Sequence, residues 1–234
     1  MTAIQRGVLI GLAMLVASGW VLVPSGTHPR AWLSGPTGPA EAVADFGASA
    51  PGPDARQLAD WIVRTRDHQG QAFFLVDKTH ATLYAFDGQA RLQASSPVLL
   101  GLAHGDDSVP GIGERPMAQI QPTERTTPAG RFVAEGGRNL KGEDIVWIDH
   151  HAAVSLHRVR TANPLEQRAQ RLATPTVDDN RISFGCINVP EDFYNRQVQA
   201  VFATTRTAIV YVLPESRSLQ AQFGIHELTA RRAP

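Results

Sequence analysis

Beyond Gly70 the apolar residues gather into short runs separated by glycine, proline and aspartate, a pattern that predicts strands rather than helices. Ala72 to Val76 and Ala81 to Phe86 are rich in Phe, Val, Leu and Tyr. Asp87-Gly88 after the second run predicts a hairpin into a third from Arg91. Further strand candidates are Val98 to Leu100, Arg131 to Ala134, Ile145 to Ile148, Ala153 to Leu156 and Ala208 to Leu213. Two stretches, Pro164 to Leu172 and Pro190 to Phe202, read as helices. A third, Asp54 to Asp67, carries Leu58, Trp61 and Ile62 at helical spacing, with Pro53 and Asp54 suited to its first turn. Many strands with glycine and proline turns and few short helices predict a mainly β fold, sandwich-like or barrel-like.

The same pattern divides the chain. Residues 1–25 hold Arg6 and then an uncharged, mostly apolar run from Gly7 to Val23, which reads as an export segment. Ala17-Ser18-Gly19 suits a cleavage site, whereas the apolar run continuing through Trp20 to Val23 suits an uncleaved anchor in the inner membrane; both readings stand. Residues 26–53 are rich in proline, glycine, serine and alanine and read as a semi-extended linker without a core. A short helix over 54–70 is expected to pack on a domain at 71–213, followed by a tail at 214–234. Everything after the export segment is then placed outside the cytoplasm, in the periplasm or cell envelope.

Composition narrows the function classes. The 234 residues carry Lys+Arg 22 against Asp+Glu 22, and this charge balance argues against a nucleic-acid partner, which needs a basic excess. A 43% hydrophobic content excludes disorder throughout. The single cysteine, Cys186, excludes an internal disulfide and any multi-cysteine metal site, and the pattern calls for no cofactor and no metal. An exported chain with one unpaired thiol makes that thiol the residue to explain.

Cys186 follows Gly185 and precedes Ile187-Asn188-Val189-Pro190. A glycine before a nucleophile allows close backbone approach, and a turn running into a helix at Pro190 leaves N–H groups free to hold an oxyanion. A thiol of ordinary pKa, about 8.5, needs a base or cation to form its thiolate. His157, His150 and His151 are the upstream candidates, and spacing does not choose among them. Arg158, Arg160 and above all Arg181 flank these segments and suit a substrate carboxylate, which a guanidinium binds bidentately. The segment of about thirty residues between Leu100 and Arg131 has little periodicity and reads as a lid beside a cleft. Its His104, Asp106 and Asp107 read as solvated residues.

Ser183-Phe184-Gly185-Cys186-Ile187-Asn188 resembles the signature of the L,D-transpeptidase catalytic domain family (YkuD-type). Phe73 to Lys78 followed by Thr82-Leu83-Tyr84 resembles the opening hairpin of that domain, and Thr127-Pro128-Ala129-Gly130-Arg131-Phe132 its Thr-Pro-x-Gly-x-Phe segment. The resemblance covers about residues 72 to 213. It implies Cys186 as nucleophile and His157 as general base, with Gly185 and Ser183 around the oxyanion site and Asn188 in support. It implies peptidoglycan stem peptides as substrate and an amine, including one on an envelope protein, as acyl acceptor. Hydrolysis by the same cysteine, as a carboxypeptidase or a wall-protein-detaching enzyme, a non-catalytic envelope-binding module, and a metal hydrolase using His150, His151 and His157, which no fitting metal-ligand motif accompanies, are the alternatives. Two departures from the family pattern stand out. Phe184 replaces a second histidine, and the stretch between His157 and Ser183 is long and contains the helix candidate at 164–172.

Overall fold

The computed structural model describes residues 42–225; the export segment expected over residues 1–25 lies outside them. Among the described residues no helix is long and apolar enough to cross a membrane. The strands are β1 (Phe73–Asp77), β2 (Thr82–Phe86), β3 (Leu92–Pro97), β4 (Leu100–Gly101), β5 (Gly130–Arg138), β6 (Asp144–Asp149), β7 (Val154–Arg158), β8 (Arg181–Ser183), β9 (Ile187–Val189) and β10 (Thr207–Val212). Eight of them form one sheet in the order β3-β2-β1-β10-β5-β6-β7-β9, and β4 pairs with β8. Just after β3 the chain reaches the opposite edge, where Leu99 and Asn188 exchange both backbone hydrogen bonds, at 2.8 and 2.9 Å. That bridge brings the sheet close to closure, so the fold is mainly β and barrel-like.

Alternation along the strands builds two cores. Phe74 and Val76 point into one, lined also by Leu83, Leu156, Ile187 and Val210. Phe73 and Leu75 point into the other, against Tyr84, Ile209 and Tyr211 and against Leu58 and Ile62 of helix α1 (Pro53–Thr65). Helix α1 starts at Pro53, a residue preorganised for a first helical position, and ends where Arg66 turns left-handed. Truncating Leu58 or Ile62 empties volume that no water fills, a change worth about 2–5 kcal/mol at buried aliphatic sites.

Several expectations shift. The linker does not reach residue 53: Ala44 and Phe46 are buried, and the Phe46 ring stands edge-on to Tyr84 and Phe86 at 5.5 and 5.1 Å. The tail contributes Leu219 and Ile225 to the same core. The helix expected over 164–172 is broken at Gln167 into a 3₁₀ turn (Pro164–Glu166) and α2 (Arg168–Ala173). The helix expected from Pro190 is interrupted by a π-helical stretch at Tyr194–Val198 between α3 (Glu191–Phe193) and α4 (Gln199–Thr205).

The 100–131 segment is built of three 3₁₀ turns and is pinned at both ends by one cation. Lys78 is fully buried, and its ammonium donates to Gly105 O at 2.6 Å, to Asp106 Oδ1 at 2.8 Å and to Thr127 O at 3.0 Å. Asp106, expected in solvent, is buried instead and also accepts from the Glu215, Ser216 and Arg217 amides. Burial alone would push its carboxyl up, but the Lys78, Ser216 and Glu215 donors outweigh that and hold it well below the ordinary carboxylate range. A depressed carboxyl stabilises the fold above the unfolded-state pKa of about 3.9 and loses that contribution as pH falls. Urea denaturation should therefore show stability dropping below about pH 4, with Asp106→Asn flattening the drop. Lys78→Met, which leaves Asp106 buried with only the longer contact to Arg217 at 3.6 Å, should cost about 3–5 kcal/mol in the same measurement.

Candidate active site

Cys186 sits on the turn between β8 and β9, which carries it to the rim of the nearly closed sheet. The turn is held from both sides. Ser183 Oγ donates to Cys186 O at 2.6 Å and accepts from Gly185 N at 3.0 Å, while Thr127 Oγ1 donates to Gly185 O at 2.9 Å. Gly185 has φ +126°, and a Cβ there would stand 2.7 Å from Thr126 O, so the position requires glycine. Gly185→Ala is expected to lower stability by about 1–3 kcal/mol and to slow thiol labelling of Cys186, read by urea denaturation and by alkylation rate.

This geometry changes the oxyanion assignment. The Gly185 amide is committed to Ser183 Oγ, so it is not a free donor. Among the described residues no acceptor is paired with the Cys186 N–H. The turn leads into strand β9 and not straight into a helix, so helix-terminal amides do not reach the thiol.

His157 and Cys186 line one cleft of about 330 Å³, together with Trp147, Ser155, Phe184 and Asn188. Parallel pairing of β7 with β9 sets Leu156 beside Ile187 and His157 beside Asn188, so the chain's own register brings the histidine to the cysteine turn. The expected strand stopped at Leu156; β7 runs to Arg158 and takes His157 into the sheet. His150 and His151 are exposed in the turn before β7, where His150 stacks on Trp147 at 5.1 Å. His157 Nδ1 lies 2.7 Å from Arg158 O, and a carbonyl can only accept, so Nδ1 carries the proton and Nε2 keeps a free lone pair. Burial pushes the imidazole pKa down to about 4; the bond to Arg158 O opposes this, and the Arg160 and Arg168 charges add to it. The ring is therefore neutral at pH 7. The thiol rests beside Ser155, Sγ to Oγ 3.5 Å, one same-face position along β7 from His157.

The remaining candidates part company. Asn188 is fully buried and braces the turn: its Nδ2 donates to Cys186 O at 3.2 Å. Arg181 is not at the cleft. It is buried against Glu215, a carboxylate from the tail, with Nη2 also donating to Lys78 O at 3.0 Å. Arg158 pairs with Asp144 at 2.9 Å and covers the Tyr194 ring. Arg160 does line the cleft, tethered to Glu143 at 2.7 Å. Phe184 lines the cleft and carries the Arg125 guanidinium 3.8 Å over its ring. Met117 extends the 100–131 segment to the cleft wall, as a lid would. Sequence reading missed Ser155, which its spacing two residues before His157 on a strand does signal, and Arg168, which no local pattern signals. Among the described residues no cluster of His, Cys, Asp and Glu is placed to hold a metal ion.

No family model and no curated protein matches the chain. Among solved structures it is similar to the catalytic domain of an E. faecium L,D-transpeptidase, at 17% identity and a TM-score of 0.34, over 62% of this chain and 99% of that one. It is also similar to the helical cell shape determining protein Pgp2 from Campylobacter jejuni (15%, TM-score 0.40, 63% of this chain and 49% of that one). A third is an L,D-transpeptidase from Mycobacterium smegmatis (13%, TM-score 0.34, 61% and 58%). The chain thus spans about half the length of Pgp2 and somewhat more of the mycobacterial protein.

Proposed function

We propose that the chain is a cysteine acyltransferase of the L,D-transpeptidase type, exported to the cell envelope and acting on peptidoglycan stem peptides. The observation that carries the reading is a neutral His157, its tautomer held by Arg158 O, in one cleft with the chain's only thiol. In this mechanism the thiol turns from Ser155 toward His157 Nε2, which takes its proton. The thiolate attacks the carbonyl carbon of the bond joining diaminopimelate to the terminal D-alanine, and the carbonyl oxygen becomes an oxyanion facing the Cys186 N–H. The imidazolium returns the proton to the D-alanine nitrogen as the C–N bond breaks, which leaves a thioester on Cys186 and free D-alanine. An amine then attacks the thioester and restores the thiol, giving a cross-link; water in its place gives a trimmed peptide.

A neutral imidazole beside the thiol is ready to take a proton as substrate arrives. The test is incubation of the purified chain with tetrapeptide-containing muropeptides. Release of D-alanine and a peptide mass adduct on Cys186 are expected. Intact substrate together with unmodified Cys186 overturns the proposal. Cross-linked against trimmed products identify the acceptor.

A further inference from the structure

The charged side chains lining the Cys186 cleft are Arg160, Arg168 and Glu166, all from the segment between β7 and β8. With His157 neutral, the lining carries a positive excess. Arg168 is the more enclosed arginine, 12% exposed at its side chain against 44% for Arg160. Its Nε faces Glu166, and its Nη1 donates to Asn188 Oδ1 at 2.6 Å. A guanidinium has five donors in a planar fork, so these two contacts leave an edge able to grip a carboxylate. Asn188 in turn donates to Cys186 O, so Arg168 stands two hydrogen bonds from the cysteine's own backbone. A carboxylate gripped by Arg168 thus lies in the same cleft as the Cys186 thiol.

We propose that Arg168 is the specificity-determining residue of this cleft and reads the free C-terminal carboxylate of the leaving amino acid. This rests on the acyltransferase reading above and deepens it. Recognition of a terminal carboxylate restricts cleavage to the last residue of a peptide, because an internal residue offers a carboxamide in the same place. A neutral carboxamide forgoes the charge-assisted pairing that a carboxylate makes with the part-enclosed guanidinium. Glu166 keeps Arg168 partly neutralised when the cleft holds no peptide. Arg160 adds a second, more exposed charge at the mouth.

Two synthetic tetrapeptides that differ only in a terminal carboxylate or carboxamide test this. Wild type should acylate on the carboxylate peptide about tenfold or more faster in kcat/KM, and Arg168→Met should bring the ratio near unity. Arg168→Lys, which keeps the charge and loses the fork, should retain part of the preference and guards against a folding defect in the first variant. The inference is overturned by equal slowing on both peptides, which marks a purely structural brace, by an unchanged ratio, or by a wild type without preference. If neither peptide acylates Cys186, the enzyme reading fails separately. Calorimetric binding to Cys186→Ala and to Cys186→Ala/Arg168→Met then decides: a carboxylate preference lost with Arg168 upholds the site, and its absence removes it.

Discussion

Cys186→Ala is expected to abolish D-alanine release, by about 10⁴-fold or more, while leaving the melting temperature unchanged. The two halves of this outcome have separate causes. Activity falls because the chain has no second thiol to take over the acyl group. Stability holds because the side chain makes only long contacts, 3.5 Å to Ser155 Oγ and 3.8 Å to Ala153 O, and is not part of either core. Replacement by serine should be nearly as severe, since a hydroxyl is a far weaker nucleophile beside a base that gains a proton only at low pH. Initial rates, intact-mass spectrometry and a thermal melt on the same preparations check all three statements. Full activity in the alanine variant would remove the covalent mechanism altogether.

His157→Ala should slow acylation by about 10²- to 10⁴-fold, the usual range for losing a general base. The pH dependence separates this from a loss of packing. An imidazole with its pKa pushed down to about 4 remains a base across the neutral range, so the acid limb of kcat/KM in wild type should fall near pH 4 and not near 6.5. In His157→Ala that limb should vanish. Iodoacetamide reactivity of Cys186 followed over the same pH range gives an independent reading. A wild-type acid limb far above pH 4 would remove His157 as the base.

The fold could be read along the chain wherever alternation and turn chemistry are local. The run from Phe73 announces a strand, and Asp87-Gly88 announces a reversal. The structure keeps that reversal as a longer loop closed by Asp87 N to Arg91 O at 3.0 Å, with the Asp87 carboxylate capping the Gln89 and Arg91 amides. Strands β8 and β9 escaped because three residues are too few to show a period, and each is a strand only through its partner. Phe46 escaped for a related reason. Proline and glycine around it signal an open linker, while the cost of leaving its ring in water is met by Tyr84 and Phe86, distant in sequence. Arg181 shows the reverse error. Proximity to the cysteine motif suggested a substrate contact, yet Glu215, 34 residues further on, holds it inside the protein.

The sequence by itself determined which chemistry is available: one thiol after a glycine, His150, His151 and His157 as candidate bases, and a strand-rich domain to carry them. Tertiary structure decided which histidine shares a cleft with the thiol and in what state. Pairing of β7 with β9 sets His157 beside Asn188, two residues from Cys186, and enclosure among the sheet and the nearby Arg160 and Arg168 keeps it neutral. It also decided that Arg168 belongs to the cleft and Arg181 does not. Side-chain alternation and backbone strain depend on neighbours within a few residues and can be read from order alone. Burial, field and ion pairing depend on distance in space, which only the folded chain sets.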